Sequence, residues 1–360
     1  MPFFALFAPS RFTPTMKKRL RILLLCHESL IPPDSVEGLS DAQVMPFKTE
    51  FDVMATLRDM GHTVWPIGIG SDLAVIKNAV DTLKPDLAFN LLEEFAGVGV
   101  YDAHVASYLE MIRLPYTGCN PRGLMLAHNK AVSKMICRYH RIPVPAFHVF
   151  PVGRSTAKLR RPKRLEFPLI VKSLTEEGSV GISQASVVHD DEKLAERIRF
   201  VHRQLRTDAL VERYVDGREV YVGVLGNDRL QTLPPWEVHF KDLREGAPKI
   251  ATSKVKWDEE YQKKIGLTTE HAEDLPGNLT AELPKLAKRV YRALQLSGYA
   301  RLDFRLTDTG RAYLLEANPN PQLMYGEDFA ESAEFAGVKY DALLRKILNL
   351  GIRYRLVGQV

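Results

Sequence analysis

Residues 299–322 constrain the fold of this chain more than any other stretch. Within them, two runs of alternating polar and apolar residues, 300–306 and 311–318, flank the turn-forming residues 308–310. Alternating runs around a short turn that contains glycine are typical of a β-hairpin. The sequence therefore predicts two antiparallel strands joined by a two-residue turn at residues 309–310.

The register of this hairpin separates a polar face from an apolar face. The predicted turn pairs two polar residues of each strand: Asp303 with Glu316, and Arg301 with Asn318. Because side chains alternate along a strand, all four lie on one face. The other face carries the apolar residues Leu302, Phe304, Leu306, Tyr313, Leu315 and Ala317. A slip of one residue would bury the charges, so the apolar set predicts this register.

The polar face has the chemistry of a metal site. Opposed carboxylates such as Asp303 and Glu316 repel each other unless a cation lies between them. Carboxylates and the carbonyl of Asn318 are hard oxygen ligands, the set that Mg²⁺ takes when it also binds phosphate oxygens. Arg301 beside them provides a fixed positive fork for a developing oxyanion. The alternative is a charged hairpin face that is exposed to solvent.

Composition limits the class of protein. With 360 residues the chain is long enough for two or three domains. Its net charge of +5 is spread along the sequence, which suits a small anionic ligand, and no nucleic-acid-binding module is visible. Nucleic acid is therefore not expected as a partner. No apolar run approaches membrane-spanning length, so a membrane is not expected as a partner either. Three cysteines without disulfide or metal spacing indicate a reduced, cytoplasmic setting.

The N-terminal part predicts an open parallel α/β domain over residues 16–120. Residues 1–15 are apolar but lack the basic segment of a signal peptide. Met16 is a second candidate start, which leaves residues 1–15 as a disordered extension. Strand-like runs alternate with a helical pattern at 47–57, as in a parallel sheet. The runs are 20–25, 63–69 and 85–90.

Two further domains are predicted, over residues 121–220 and 221–360. The second carries strand-like runs and helices, and the third alternates like an antiparallel sheet, so that the fold class is α/β and α+β. In the second, the buried strand 167–172 ends in Lys172, which can direct a compact charge at phosphate oxygens. A glycine-rich loop follows, whose N–H groups can close over phosphates. It contains Gly178, Ser179, Val180 and Gly181.

The hairpin carries the pattern R-x-D-x-R followed by E-x-N-P-N-P. This pattern resembles the metal-binding end of the ATP-grasp superfamily, and in detail it is similar to the D-alanine–D-alanine ligase group. The sequence Leu-Pro-Tyr-Thr-Gly at 114–118 also resembles the segment that closes the N-terminal domain of that group. The resemblance implies an ATP-grasp fold preceded by the open parallel α/β domain, known as the pre-ATP-grasp domain.

The resemblance also implies a role for each matching residue. It assigns Lys130, Lys172 and the loop 178–181 to the nucleotide phosphates. It places the adenine against Glu212, Arg213, Tyr214 and Val215, and the ribose hydroxyls at Glu219. Lys256 would approach the terminal phosphate from a loop, and Lys254 is the second candidate for this role. Two Mg²⁺ ions, for which Mn²⁺ can substitute, would be held by Asp303, Glu316 and Asn318, and Arg301 would stabilise a tetrahedral oxyanion.

The function implied is an ATP-dependent carboxylate–amine ligase that joins amino acids or small peptides through an acyl phosphate. Two alternatives remain open: a ligase of specialised metabolism whose substrates are not D-alanine, and an ATP-binding regulatory protein that does not ligate. The N-terminal segments that hold the first amino acid in the group differ here. Glu28, Glu93 and Glu94 would favour a cationic or amine-bearing substrate, and the alternative for each of them is a solvated loop carboxylate. Family members are commonly dimers, so the resemblance implies a homodimer.

Overall fold

The structure is a computed structural model that describes residues 19–153, 161–176, 178–242, 248–250, 252, 255 and 259–355. The predicted extension at residues 1–15 lies outside them. Three sheets follow one another along the chain. No described helix is both long and apolar enough to cross a membrane.

The first sheet is parallel, as predicted. Its strand order is β2-β1-β3, and β1 pairs in parallel with both neighbours. The five central residues of β1 are buried, because helices and loops cover both faces of a parallel sheet. The elements are β1 Arg21–His27, α1 Asp41–Val44, α2 Lys48–Asp59, β2 Thr63–Ile69, α3 Ala74–Leu83, β3 Leu87–Asn90 and α4 Asp102–Met111.

The second sheet is antiparallel, with the strand order β4-β7-β5-β6. Helices α5 and α6 precede it, and Asn129 caps α6 by accepting a hydrogen bond from the Val132 N–H at 3.0 Å. The elements are α5 Pro121–His128, α6 Lys130–Tyr139, β4 Phe147–Phe150, β5 Leu169–Ser173, β6 Val187–Val188, α7 Asp191–Phe200 and β7 Ala209–Arg213.

The third sheet contains the predicted hairpin, β12 and β13, at one edge of the order β11-β10-β8-β12-β13. Helix α11 packs back against α2 and β3 of the first domain. The predicted boundaries at residues 120 and 220 stay predictions. The elements are β8 Arg218–Leu225, β9 Gln231–Thr232, β10 Trp236–Phe240, α8 Glu259–Lys264, β11 Leu267–His271, α9 Leu279–Ala293, β12 Tyr299–Leu306, β13 Ala312–Pro319, α10 Asp328–Phe335 and α11 Tyr340–Arg353.

The hairpin has the predicted pairing but not the predicted turn. Asp303 pairs with Glu316, as expected, whereas Thr307 and Arg311 close a three-residue loop in which the Thr307 N–H donates to the Arg311 carbonyl. The longer loop shifts the register by one residue, and a β-bulge at Leu315 restores it.

The bulge also changes which residues are buried. Ala312 and Leu314 lie in the core, while Tyr313 and Leu315 are half-exposed on the polar face. The prediction that Tyr313 and Leu315 belong to the core was therefore wrong, because the alternation of strand faces is broken once at the bulge.

Gly298 lies between helix α9 and strand β12. Helix α9 already ends at Ala293, and Gly298 has a φ of 68°. A Cβ atom on Gly298 would lie 2.3 Å from the carbonyl oxygen of Gly118. The glycine therefore permits two backbone segments to approach closely just before β12.

Candidate active site

A cleft lies between the second and third sheets. It brings together seven of the predicted site residues: Lys130, Lys172, Ser179, Val180, Glu219, Asp303 and Glu316. Its other walls come from residues to which the sequence assigned no role: Ile170, Ser173, Glu176, Ile182, Ile250, Arg305 and Leu315. Positive and negative side chains thus face the same volume from different sheets.

Asp303 lies at the centre of the hairpin's polar face and is 3% exposed. Arg301 donates to both its carboxylate oxygens, with Nε to Oδ1 at 2.9 Å and Nη2 to Oδ2 at 3.1 Å. The Asn318 amide also donates to Oδ2, at 2.9 Å. Within the described part of the chain, no group of three or more His, Cys, Asp or Glu side chains could hold a metal by itself. Two carboxylates and one amide fit a hard cation that also takes phosphate oxygens.

Arg301 is fixed by its surroundings. Its guanidinium carbon lies 4.3 Å from the centre of the Tyr221 ring, and its Nη1 lies 3.7 Å from the Asp328 carboxylate. Burial alone would lower the pKa of Arg301, but Asp303, Tyr221 and Asp328 together outweigh burial and raise that pKa. The side chain is therefore a permanently charged fork with little rotational freedom.

Lys130 is the first residue of α6 and is 7% exposed. Its ammonium donates to the Glu176 carbonyl at 2.6 Å and lies 3.9 Å from Oε2 of Glu316. It thus links the start of the glycine-rich loop region to the carboxylates of the hairpin.

Lys172 belongs to a buried cluster of charges that the sequence did not reveal. Its Nζ lies 3.2 Å from Oε2 of Glu212, and Nζ of Lys134 lies 2.9 Å from Oε1 of the same carboxylate. Burial would raise the pKa of Glu212, but the two lysines outweigh burial and lower it. Burial lowers the pKa of Lys134. At Lys172 burial acts in the same direction, but the carboxylates of Glu212, Glu316 and Glu219 together outweigh it and raise the pKa. Lys134 follows Lys130 by one helical turn, a spacing that could have indicated its direction.

The predicted adenine-binding residues lie at the end of β7. The Glu212 side chain is fully buried against the two lysines. The N–H groups of Arg213 and Tyr214 donate within the sheet, to the carbonyls of Ala146 and Pro168. The contact with adenine, including that of Val215, stays a prediction.

Glu219, the predicted ribose ligand, is held by Arg305. Nη2 of Arg305 donates to the Glu219 carboxylate at 2.7 Å, and the Tyr221 hydroxyl donates to its other oxygen at 3.1 Å. Arg305 also donates to the carbonyls of Gly217 and Lys249. Arg305 lies two residues after Asp303 and therefore on the same face of β12, a signal that the sequence analysis missed.

The glycine-rich loop has the backbone of a tight turn. Gly178, Ser179 and Gly181 have φ values of 60°, 61° and 72°. The Ile182 N–H donates to the Ser179 carbonyl at 2.9 Å, and Arg197 of α7 donates to the Gly181 carbonyl. The loop is thus anchored at its end, while Ser179 and Val180 line the cleft.

Other predicted residues lie elsewhere. Lys254 and Lys256 are outside the described residues. Glu28, Glu93 and Glu94 follow β1 and β3 at the carboxyl edge of the first sheet, where His27 lies 3.4 Å from Glu94. No sequence pattern indicated Glu50, a buried carboxylate on α2. Burial raises its pKa to about 7, and the negative charge of Glu93 adds to the shift.

Comparisons with known proteins agree with this architecture. The family model described as "D-ala D-ala ligase C-terminus" matches residues 136–349. A D-alanine–D-alanine ligase of Syntrophotalea carbinolica is 32% identical over 316 residues, which cover 86% of this chain and 92% of that protein. The uncharacterized protein y4sG of Sinorhizobium fredii is 30% identical over 309 residues, 84% of this chain and 86% of that protein.

A solved structure shows the same fold. The D-alanine–D-alanine ligase from Bacillus anthracis complexed with ATP superposes with a TM-score of 0.70 at 24% identity, covering 93% of this chain and 98% of that chain. The enzyme from Coxiella burnetii gives a TM-score of 0.68 at 20% identity, covering 93% and 94%.

Proposed function

Because the chain belongs to the D-alanine–D-alanine ligase family and is an ATP-dependent ATP-grasp ligase that forms C–N bonds, we propose that it joins the carboxylate of one amino acid or small peptide to the amine of a second. The observation that carries the proposal is the position of Arg301, which is locked onto Asp303, a carboxylate that lines the same cleft as Lys130 and Lys172. A protein that only bound ATP would not need a fixed guanidinium beside the metal carboxylates.

Lys130, Lys172 and the loop 178–181 are proposed to hold the phosphates of ATP, with Glu219 at the ribose. Asp303, Glu316 and Asn318 would hold Mg²⁺ ions, which neutralise charge on the β- and γ-phosphates when bound. The substrate carboxylate then attacks the γ-phosphorus, so that an acyl phosphate forms and ADP leaves. The steps assigned to the protein are positioning and charge stabilisation.

In the second step an amine attacks the acyl carbon and inorganic phosphate leaves. Nε and Nη2 of Arg301 are engaged by Asp303, so we assign Nη1 to the oxyanion that develops on the acyl oxygen. Oriented donors of this kind stabilise a transition state without having to reorganise during the reaction.

The acyl substrate is proposed to carry an amine. Glu28 and Glu94 lie at the carboxyl edge of the first sheet, the edge at which open α/β sheets bind ligands. The buried Glu50 is close enough to Glu93 for the charge of Glu93 to raise the pKa of Glu50. D-Alanine is one such substrate, and another amino acid or a peptide is the alternative.

Phosphate release from Mg-ATP with a panel of amino-acid pairs, D-alanine alone included, tests the proposal. Asp303→Asn should abolish release, whereas Asp308→Asn, the same change at an exposed position in the hairpin loop, should leave it unchanged. Mass spectrometry of the product would identify the pair. If ATP binds but no amino-acid pair releases phosphate, the proposal that the chain joins two amino acids fails, and a peptide substrate or the regulatory alternative is favoured.

We also propose a cytoplasmic homodimer. The three cysteines, Cys26, Cys119 and Cys137, are buried and unpaired, which suits a reducing compartment. Light scattering of the purified chain tests the dimer, and a monomeric mass at micromolar concentration would contradict it.

A further inference from the structure

Lys134 is buried on α6, with 1% of its surface exposed, and does not line the cleft. A lysine is almost never buried in this way unless its charge is compensated and its donors are satisfied. Here its Nζ contacts the Glu212 carboxylate and the backbone carbonyls of Leu314 and Leu315. These partners belong to two different sheets, so one ammonium bridges them.

Resting on the function proposed above, we propose that Lys134 is a positioning residue. Lys134 compensates the negative charge of Glu212, so that Glu212 does not neutralise the phosphate-binding lysine Lys172. It also holds the metal carboxylate Glu316 in register through the Leu315 carbonyl. Lys134 itself touches neither nucleotide nor metal.

The first effect is electrostatic. Lys134 and Lys172 both contact Glu212, so two positive charges and one negative charge leave the cluster with a net charge of +1. Lys172 lines the cleft, and therefore this excess charge is available to phosphate. Without Lys134, Glu212 would neutralise Lys172, and the attraction for phosphate would weaken.

The second effect is geometric. A β-bulge leaves a residue unpaired in the ladder, and a buried carbonyl without a donor is unfavourable. Nζ of Lys134 donates to the carbonyl of the bulged residue Leu315 and lies 3.5 Å from that of Leu314. Because this bulge sets Glu316 opposite Asp303, the contact stabilises the register of the metal site.

The two effects can be separated with two variants. Lys134→Met removes both the charge and the donor while keeping a long side chain. The double variant Lys134→Met, Glu212→Gln returns the cluster to a net charge of +1 but does not restore the donor to Leu315. It changes only the side chain of Glu212, which is buried against the two lysines, and keeps the backbone to which the predicted adenine contact is assigned. Lys285→Met, at an exposed lysine on α9, is the matched control.

Binding of Mg-ATP is measured by calorimetry, together with the free Mg²⁺ concentration that gives half-maximal nucleotide binding. We expect Lys134→Met to weaken nucleotide binding and raise the Mg²⁺ requirement, each by about tenfold. The double variant should recover most of the nucleotide affinity and keep the raised Mg²⁺ requirement. The control should match the wild type in both quantities.

A purely structural role for Lys134 predicts a different pattern. It would lower the melting temperature and leave the binding constants of the folded fraction unchanged, and that result would overturn the inference. So would a double variant that binds nucleotide as weakly as the single one. If Lys134→Met does not fold, the double variant is compared directly with the wild type, with the same expected values. Both readouts are independent of turnover: wild-type protein that binds Mg-ATP without ligating would refute the proposed function alone.

Discussion

Glu316 lies directly opposite Asp303 across the β12–β13 hairpin, and it does so because Leu315 is bulged out of the ladder beside it. The three-residue loop shifts the pairing by one residue, so that an unbulged strand would set Leu315 opposite Asp303 and turn Glu316 towards the core. The bulge therefore permits both a loop of this length and a face with two opposed carboxylates.

Arg301→Lys should reduce turnover by about 100-fold or more, because an ammonium keeps the charge but loses the fork that fixes the group on Asp303. Nucleotide affinity should change by less than about threefold, since the proposed role of Arg301 lies in the transition state. Phosphate release and calorimetry measure the two quantities. Arg311→Lys, on the exposed end of the same hairpin, is the matched control. Equal losses in turnover and nucleotide affinity would contradict the oxyanion role.

The stability of the Glu50→Gln variant relative to the wild type should increase as the pH rises. The folded state of the wild type keeps its Glu50 proton up to a pKa of about 7, whereas the unfolded chain releases it near the ordinary value of 4.5. The folded state thus binds more protons between these values, and the wild type loses stability as the pH rises through this window, by up to about 3 kcal/mol.

Urea unfolding of wild type and Glu50→Gln at pH 4.5 and pH 8 measures this effect. The difference in free energy of unfolding, variant minus wild type, should increase between the two pH values. Glu37→Gln, at an exposed carboxylate in the same domain, should show no such increase. A difference that is the same at both pH values would show that Glu50 does not titrate as described.

Gly298→Ala should destabilise the protein by about 2–4 kcal/mol, because it combines a positive φ with a Cβ that lies 2.3 Å from the Gly118 carbonyl oxygen. Gly277→Ala has a φ of 61° and nothing within 4 Å of its Cβ, so it should cost only about 1 kcal/mol. Urea unfolding of both variants measures the difference. Equal losses would mean that the backbone conformation alone accounts for the effect.

Much of the secondary structure was predictable because the patterns that specify it are local. The parallel first sheet follows from apolar runs separated by a helical pattern, and the helix at α9 follows from its 3.6-residue period. The pairing of Asp303 with Glu316 was also predicted, although the loop and the bulge that produce it were not. The predicted loop was one residue too short and the predicted strand lacked the one-residue bulge, so the two errors cancelled and the pairing was unchanged.

The buried charges were not predictable in the same way. Nothing near Glu212 in the sequence indicates that its carboxylate lies between Lys134 and Lys172, since these residues belong to different elements. The pairing of Glu219 with Arg305 likewise depends on the register of β8 against β12.

The sequence by itself determined which residues are proposed to carry the chemistry: the hairpin carboxylates, Arg301 beside them, the strand-end Lys172 and the glycine-rich loop. Their placement on strands and in loops can be read from the local periodicity and the turn residues, because local interactions specify strands and turns. Only the tertiary structure decided how the buried charges are balanced: Lys134 contacts Glu212, Arg305 contacts Glu219, and Glu50 is buried. The physical reason is that the energy of a buried charge depends on which partners and how much water surround it, and contacts between distant segments set both.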